Sequence, residues 1–128
     1  MPHIIVQYED DVAERDGGWL LGQLRKELRY ACKVLSVPGR QLQSNDFSFM
    51  FLKAGEWDSL VCDIQVIILA HADRQRVERL DKLAEEIAAT IGEVIRRELK
   101  HEAPDVTYSV SLHLGEMGYF ADFAKLVE

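Results

Sequence analysis

The hydrophobic pattern begins with a strand and continues into an amphipathic helix. Residues His3 to Tyr8 are apolar on both faces, which is typical of a central strand. The acidic stretch 9–18 ends in two glycines and predicts a loop. From Trp19 apolar residues recur at helical spacing, and residues 37–39, Val-Pro-Gly, end the predicted helix because proline cannot continue it. The apolar positions of this helix are Leu20, Leu24, Leu28, Ala31 and Leu35.

The remaining pattern predicts strand, strand, helix and strand. Phenylalanines at 47, 49 and 51 alternate with other side chains, as in a strand, and the continuous apolar run from Leu60 to Ala70 predicts a strand buried on both faces. A long helix is predicted from about Arg74 to Lys100. From Val106 apolar and polar residues alternate, so the last strand has one wet or partner-facing side. The apolar stripe of the long helix is Val77, Leu80, Leu83, Ala84, Ile87, Ile91, Ile95 and Leu99.

This order, strand-helix-strand twice, predicts one α+β domain over residues 1–128 with pseudo-repeats at about 1–59 and 60–128. Each predicted helix is long enough to connect two parallel strands by a right-handed crossover. Two such units give a four-stranded mixed sheet with two helices on one face. The other sheet face then lacks cover, and Phe49 and Phe51 or their alternates are exposed there. An apolar patch of that size predicts an oligomer. The ferredoxin-like fold has the same order of elements, so the pattern alone leaves both arrangements open.

Composition and charge limit the classes of molecule that this protein is expected to bind. The net charge of −7 argues against nucleic acid or an anionic membrane surface, and an anionic ligand would need a local cluster of arginines. No apolar run is long enough to cross a bilayer, and no signal peptide is evident. Cys32 and Cys62 lie in apolar stretches, as reduced core cysteines do. These features predict a cytoplasmic protein.

The N-terminus holds the strongest candidate for chemistry. Pro2 stands directly behind Met1, and a strand follows at once. If Met1 is removed, Pro2 becomes a secondary amine, and burial of that amine disfavours its ammonium form, as suits a general base. The four histidines have no metal-ligand spacing, and no phosphate loop or nucleophile motif is present. We therefore expect no cofactor and no metal.

The first six residues, Met-Pro-His-Ile-Ile-Val, and the acidic residues 9–11 resemble the opening of the tautomerase superfamily, most closely the 5-carboxymethyl-2-hydroxymuconate isomerases. The resemblance implies a tautomerase-like fold whose sheets pack in a homotrimer. It also implies an isomerase that shifts a proton within an unsaturated keto-acid, a small-molecule carboxylate, with Pro2 as base and acid.

Two arginines stand where this resemblance places substrate-binding cations. Arg40 follows Pro38-Gly39 just before the second strand, and Arg74 opens the long helix. The planar fork of arginine suits carboxylates. Arg76 and Arg79 are interpreted as surface charges of the helix, and Lys53 is a further candidate cation at the far end of the second strand.

A second hypothesis is a protein without catalysis, either a non-catalytic member of the same fold or a ferredoxin-like binding or assembly module. Residues 44–48, Ser-Asn-Asp-Phe-Ser, are neutral or acidic, whereas the second strand of the isomerases carries further basic residues. If Met1 is retained, Pro2 is an amide without basicity.

Overall fold

The computed structural model describes residues 2–14, 19–36, 42–43, 46–55, 60, 62–71 and 74–115. Within these ranges it contains four strands, four α-helices and two 3₁₀ helices. The strands are β1 (His3–Tyr8), β2 (Ser48–Lys53), β3 (Ile64–His71) and β4 (Tyr108–Gly115). The α-helices are α1 (Asp10–Glu14), α2 (Trp19–Ala31), α3 (Arg74–Glu78) and α4 (Leu80–Leu99), and 3₁₀ helices span Cys32–Leu35 and Lys100–Asp105.

The four strands form one mixed sheet in the order β2-β1-β3-β4. β1 is parallel to β2, β3 is parallel to β4, and the two pairs meet through antiparallel β1 and β3. The strands joined through a helix are therefore immediate neighbours, whereas the ferredoxin-like fold splits its β-α-β units. This topology confirms the predicted tandem β-α-β arrangement and excludes the ferredoxin-like alternative.

The core lies between one face of the sheet and the helices. Alternate strand residues such as Ile4, Val6, Val66 and Ile68 are fully buried there, together with the apolar stripes of both long helices. The stripe of α2 is buried at Leu20, Leu24 and Leu28, and that of α4 at Leu83, Ile87, Ile91, Val94, Ile95 and Leu99. Helical spacing in the sequence thus indicated correctly which side of α2 and of most of α4 packs on the sheet.

The acidic stretch predicted as a loop contains the short helix α1, so that prediction is wrong for residues 10–14. Two causes are visible. Asp10 and Asp11 occupy the first turn, where carboxylates interact favourably with the helix N-terminus. Val12 is fully buried in the core. A single apolar residue gives no periodicity, which is why the pattern did not reveal this helix.

The long helix predicted from Arg74 is interrupted near Arg79, whose φ of −111° and ψ of 16° lie outside helical geometry. The interruption separates α3 from α4. Val77 is 54 % exposed, so its place in the apolar stripe was predicted wrongly, and Arg76 is buried instead. Asp73, next to the start of α3, lies outside the described residues.

The face of the sheet turned away from the helices carries an apolar band. Register places Met50, Ile5 and Ile67 side by side on neighbouring strands, with Leu52 one pair further along β2. Met50 is 53 % and Leu52 is 42 % exposed, while Phe49 and Phe51 pack against the core. The alternates of the phenylalanines are therefore the exposed residues. β3 is buried on one face only, so burial on both faces, as predicted from its sequence, is not found in this chain by itself.

The start of β3 is tied to the start of β4 by hydrogen bonds in both directions. Asp63 Oδ2 accepts from the Thr107 backbone N–H at 2.9 Å, and the Asp63 N–H donates to Thr107 Oγ1 at 3.0 Å. Nearby, the Cys62 thiol donates to the Ile64 carbonyl, and neither Cys62 nor Cys32 forms a disulfide. No helix among the described residues has the length and apolarity needed to cross a membrane.

Candidate active site

Pro2 lies buried at the N-terminal end of the central strand β1. Its carbonyl oxygen accepts a hydrogen bond at 3.0 Å from the Ser48 N–H, which begins β2. His3 pairs with Leu69 near the end of antiparallel β3. The start of β1, the start of β2 and the end of β3 therefore meet at one end of the sheet, and Pro2 sits at that meeting point.

A buried arginine braces the same end of the sheet. Arg76 is only 8 % exposed. Its Nε donates to the Leu35 carbonyl at 2.9 Å, and its Nη1 donates to the His71 carbonyl at 2.9 Å. Arg76 thus joins the segment after α2 to the end of β3. Its interpretation as a surface charge is wrong, because Arg76 stands seven and eleven residues before the buried Leu83 and Ile87, on the same face of the helix.

Arg74, predicted to bind substrate, opens α3 three residues after the end of β3, at the Pro2 end of the sheet. Its side chain is 91 % exposed, and its Nε lies 3.1 Å from Glu78 Oε1. An exposed pair of this kind is worth only about 0.3–0.5 kcal/mol, so the guanidinium can leave Glu78 at little cost. Arg40 lies outside the described residues.

Lys53 lies at the opposite end of the sheet from Pro2. It pairs in register with Tyr8, at the far end of β1, and its Nζ lies 3.5 Å from Asp10 Oδ1. Arg79 is exposed, as predicted for a helix-surface charge.

Three histidines lie near the Pro2 end on the open face of the sheet. Register places His3, Leu69 and His113 in one row across three strands, and His71 is the last residue of β3. Among the described residues no group of histidine, cysteine or carboxylate side chains could hold a metal ion. This end of the sheet thus combines a buried proline, three histidines and the exposed guanidinium of Arg74. Such a set is suited to proton transfer on an anionic molecule.

Comparison with solved structures identifies the fold, although no protein-family model and no curated protein matches the sequence. A 5-carboxymethyl-2-hydroxymuconate delta-isomerase is 13 % identical with a TM-score of 0.53, covering 91 % of this chain and 82 % of that one. A malonate semialdehyde decarboxylase inhibited by 3-bromopropiolate is 13 % identical with a TM-score of 0.57, covering 88 % of this chain and 82 % of that one. N1, of the cis-3-chloroacrylic acid dehalogenase family, is 10 % identical with a TM-score of 0.56, covering 94 % and 89 %.

These structures all belong to the tautomerase superfamily. They share a mixed sheet and helices with this chain, and the resemblance first suggested by the N-terminal residues is confirmed in the architecture. At 10–13 % identity, the similarity is one of fold. The chain has the fold of the tautomerase superfamily.

Proposed function

We propose that this protein is a cofactor-independent isomerase that moves a proton within an unsaturated keto-acid, with Pro2 as general base and acid. The observation that carries the proposal is the position of Pro2. It is buried where three strand ends meet, at the start of the central strand of a tautomerase fold.

The proton transfer needs only the nitrogen of Pro2. Once Met1 is removed, the neutral secondary amine takes a proton from a carbon next to the carbonyl, and the electron pair of that C–H bond moves into a dienolate. The protonated amine then returns the proton to a different carbon of the conjugated system. Burial of Pro2 disfavours the ammonium form and so maintains the base in its active state.

Substrate carboxylates are assigned to Arg74 and Arg40 in this proposal. Arg74 lies at the Pro2 end, and its exposed pairing with Glu78 is weak enough to exchange for a substrate carboxylate. Arg76 has a different part: its two hydrogen bonds to carbonyl oxygens hold the surrounding backbone in place.

We further propose that three copies of the chain assemble through the open face of the sheet. Met50, Ile5 and Ile67 form an apolar band there, and burying such a band against another copy is favourable. Assembly through this face would also cover His3 and Leu69, next to Pro2, and so separate the site from bulk water.

The central test combines intact mass with tautomerisation of phenylpyruvate and 2-hydroxymuconate. We expect the purified protein to lack one methionine and to be active, and we expect Pro2→Ala to lose most of the activity. A matched control inserts one alanine between Met1 and Pro2, which keeps the proline ring but converts its nitrogen to an amide. Full activity of the inserted variant would remove Pro2 from the mechanism.

Arginine variants separate substrate binding from folding. Arg74→Gln should raise KM for a dicarboxylate substrate by about 10-fold, the loss expected for one charge-assisted hydrogen bond. Arg79→Gln, an exposed cation five residues away, should leave KM unchanged. Absence of turnover in a trimeric protein that lacks Met1 would favour the second hypothesis, a non-catalytic protein of the same fold.

A further inference from the structure

A groove of about 490 Å³ lies at the other end of the sheet from Pro2, between the last turns of α4, the 3₁₀ helix Lys100–Asp105 and the start of β4. Register fixes its position, because Tyr108 pairs with Ile64 at the start of β3, whereas Pro2 lies near the end of that strand. The lining is mostly apolar, with two cations, one phenol and no carboxylate. The lining includes Ile95, Arg96, Lys100, Pro104, Val106 and Tyr108.

The two cations of the groove are available to a ligand. Arg96 and Lys100 are both exposed, and neither forms an ion pair or a side-chain hydrogen bond with any other described residue. The neighbouring Arg97, in contrast, reaches two carboxylates, Glu98 at 3.2 Å and Glu27 at 3.9 Å. Cations in the last turn of a helix are favourable in themselves, and Arg96 and Arg97 both lie in the last turn of α4, but of the two only Arg97 is also paired with carboxylates. The groove therefore concentrates unpaired positive charge on a chain of net charge −7.

Lys100 is held in a backbone conformation that lysine rarely adopts. Its φ of 52° and ψ of −113° place it in a region where glycine is the usual residue. Such strain persists where the surrounding structure imposes it, and it concentrates at ligand sites. Glycine at this position would relax the backbone but would remove the ammonium group from the groove.

Gly92 makes room for the phenol of Tyr108 against the helix. A Cβ at position 92 would overlap the Tyr108 hydroxyl oxygen and would lie 3.3 Å from Arg96 Nη1. Glycine within a helix destabilises the helix relative to alanine, because glycine has the greatest backbone freedom to lose on folding. Here that residue allows the hydroxyl and the guanidinium to lie close together at one wall of the groove.

We propose that this groove binds a small amphipathic carboxylate. The carboxylate lies between Arg96 and Lys100, with the Tyr108 hydroxyl as a further donor, and the apolar body rests on Ile95, Pro104 and Val106. Arginine can bind both carboxylate oxygens at once, which makes it the specific contact, and lysine adds a point charge. The volume lies within the range of small-molecule sites. The proposal does not depend on Pro2 or on the reaction assigned to it.

The test is an amide NMR titration of the intact protein with hydrocinnamate, a phenyl ring on a short chain ending in a carboxylate. Hydrocinnamyl alcohol, which has the same body without the charge, and acetate, which has the charge without the body, are the matched probes. We expect hydrocinnamate to shift the amides of Arg96, Lys100, Val106 and Tyr108 with a Kd on the order of 1 mM, consistent with a ligand of this size in an open groove. Both controls should bind at least about 10-fold more weakly.

Variants then separate the ligand site from a merely structural feature. Arg96→Gln should weaken hydrocinnamate binding by about 10-fold or more, and Lys82→Gln, an exposed cation of α4 outside the groove, should leave it unchanged. Lys100→Gly should weaken binding while raising Tm by a few degrees, because it removes backbone strain. Gly92→Ala should abolish binding by displacing Tyr108.

Three outcomes would overturn the proposal: equal affinity for the acid and the alcohol, unchanged affinity in Arg96→Gln, or shifts confined to His3, Ser48 and their neighbours. The last outcome would place the carboxylate at the Pro2 end. Pro2→Ala, which tests the isomerase proposal, should leave the groove titration unaltered, so that the two proposals fail separately.

Discussion

Replacement of Arg76 by methionine tests whether this side chain braces the Pro2 end of the sheet. Methionine fills a similar volume without donors, so the carbonyl oxygens of Leu35 and His71 each lose a hydrogen bond of 2.9 Å. A hydrogen bond from a charged donor contributes about 1.5–3 kcal/mol. The hydrogen bond to the Leu35 carbonyl is buried and the one to the His71 carbonyl is partly buried, so water replaces them incompletely, and we expect a loss of about 3–5 kcal/mol in the free energy of unfolding.

The assay is urea unfolding followed by circular dichroism, with linear extrapolation of the free energy. Arg76→Lys keeps the charge but cannot span both carbonyls, so it should lose roughly half as much. Arg79→Met, at an exposed position nearby, should change stability by less than about 0.5 kcal/mol. A loss below about 1 kcal/mol in Arg76→Met, with an unchanged m-value, would refute the bracing role.

Three further predictions concern stability and assembly. Gly22→Ala should stabilise the protein by about 0.5–1 kcal/mol in thermal unfolding, because Gly22 lies within α2 and an added Cβ meets no atom within 4 Å; a lower Tm would contradict this. Burial raises the pKa of the Cys32 thiol from 9.0 to about 12, so above pH 9 the unfolded chain loses this proton first and stability falls by up to about 1.4 kcal/mol per pH unit. In Cys32→Ala the free energy of unfolding should fall less steeply between pH 9 and 10 than in the wild type. Equal pH dependence in the two proteins would contradict this contribution of Cys32. Ile67→Lys, on the open face, should yield a monomer in light scattering, whereas Glu85→Lys on α4 should not, and a trimer of Ile67→Lys would place the interface elsewhere.

The fold could be predicted from the sequence to the extent that hydrophobic spacing determines it. Leu20, Leu24 and Leu28 lie on one face of an uninterrupted helix, and they are buried as expected. Spacing failed at Val77 because Arg76, and not Val77, stands seven and eleven residues before the buried Leu83 and Ile87, which are the spacings of one helix face. The choice between the tandem and the ferredoxin-like arrangement depends on strand order, which element order does not determine.

The sequence indicated candidate site residues only where a residue type is itself informative. Pro2 is buried at a junction of strand ends, in keeping with its proposed role, and Arg74 lies at the same end. The bracing by Arg76 could not be predicted, because its partners are backbone carbonyls 41 and 5 residues away along the chain. The groove could not be predicted either, because it forms between the end of one helix and the start of a strand. The positive φ of Lys100 has no sequence signal, since glycine is the residue expected in that conformation.

The antiparallel pairing of β1 with β3 gives the two halves of the chain opposite directions in one sheet. Equivalent positions of the two halves therefore lie at opposite ends of the sheet. Pro2 precedes β1 at one end, and Asp63 precedes β3 at the other. At the end of the sheet where β3 and β4 begin, Asp63 and Thr107 form reciprocal hydrogen bonds. The two equivalent strand junctions are thus stabilised by different means, reciprocal side-chain hydrogen bonds at one and a buried arginine at the other, so we expect substitutions at the two junctions to have additive effects on stability.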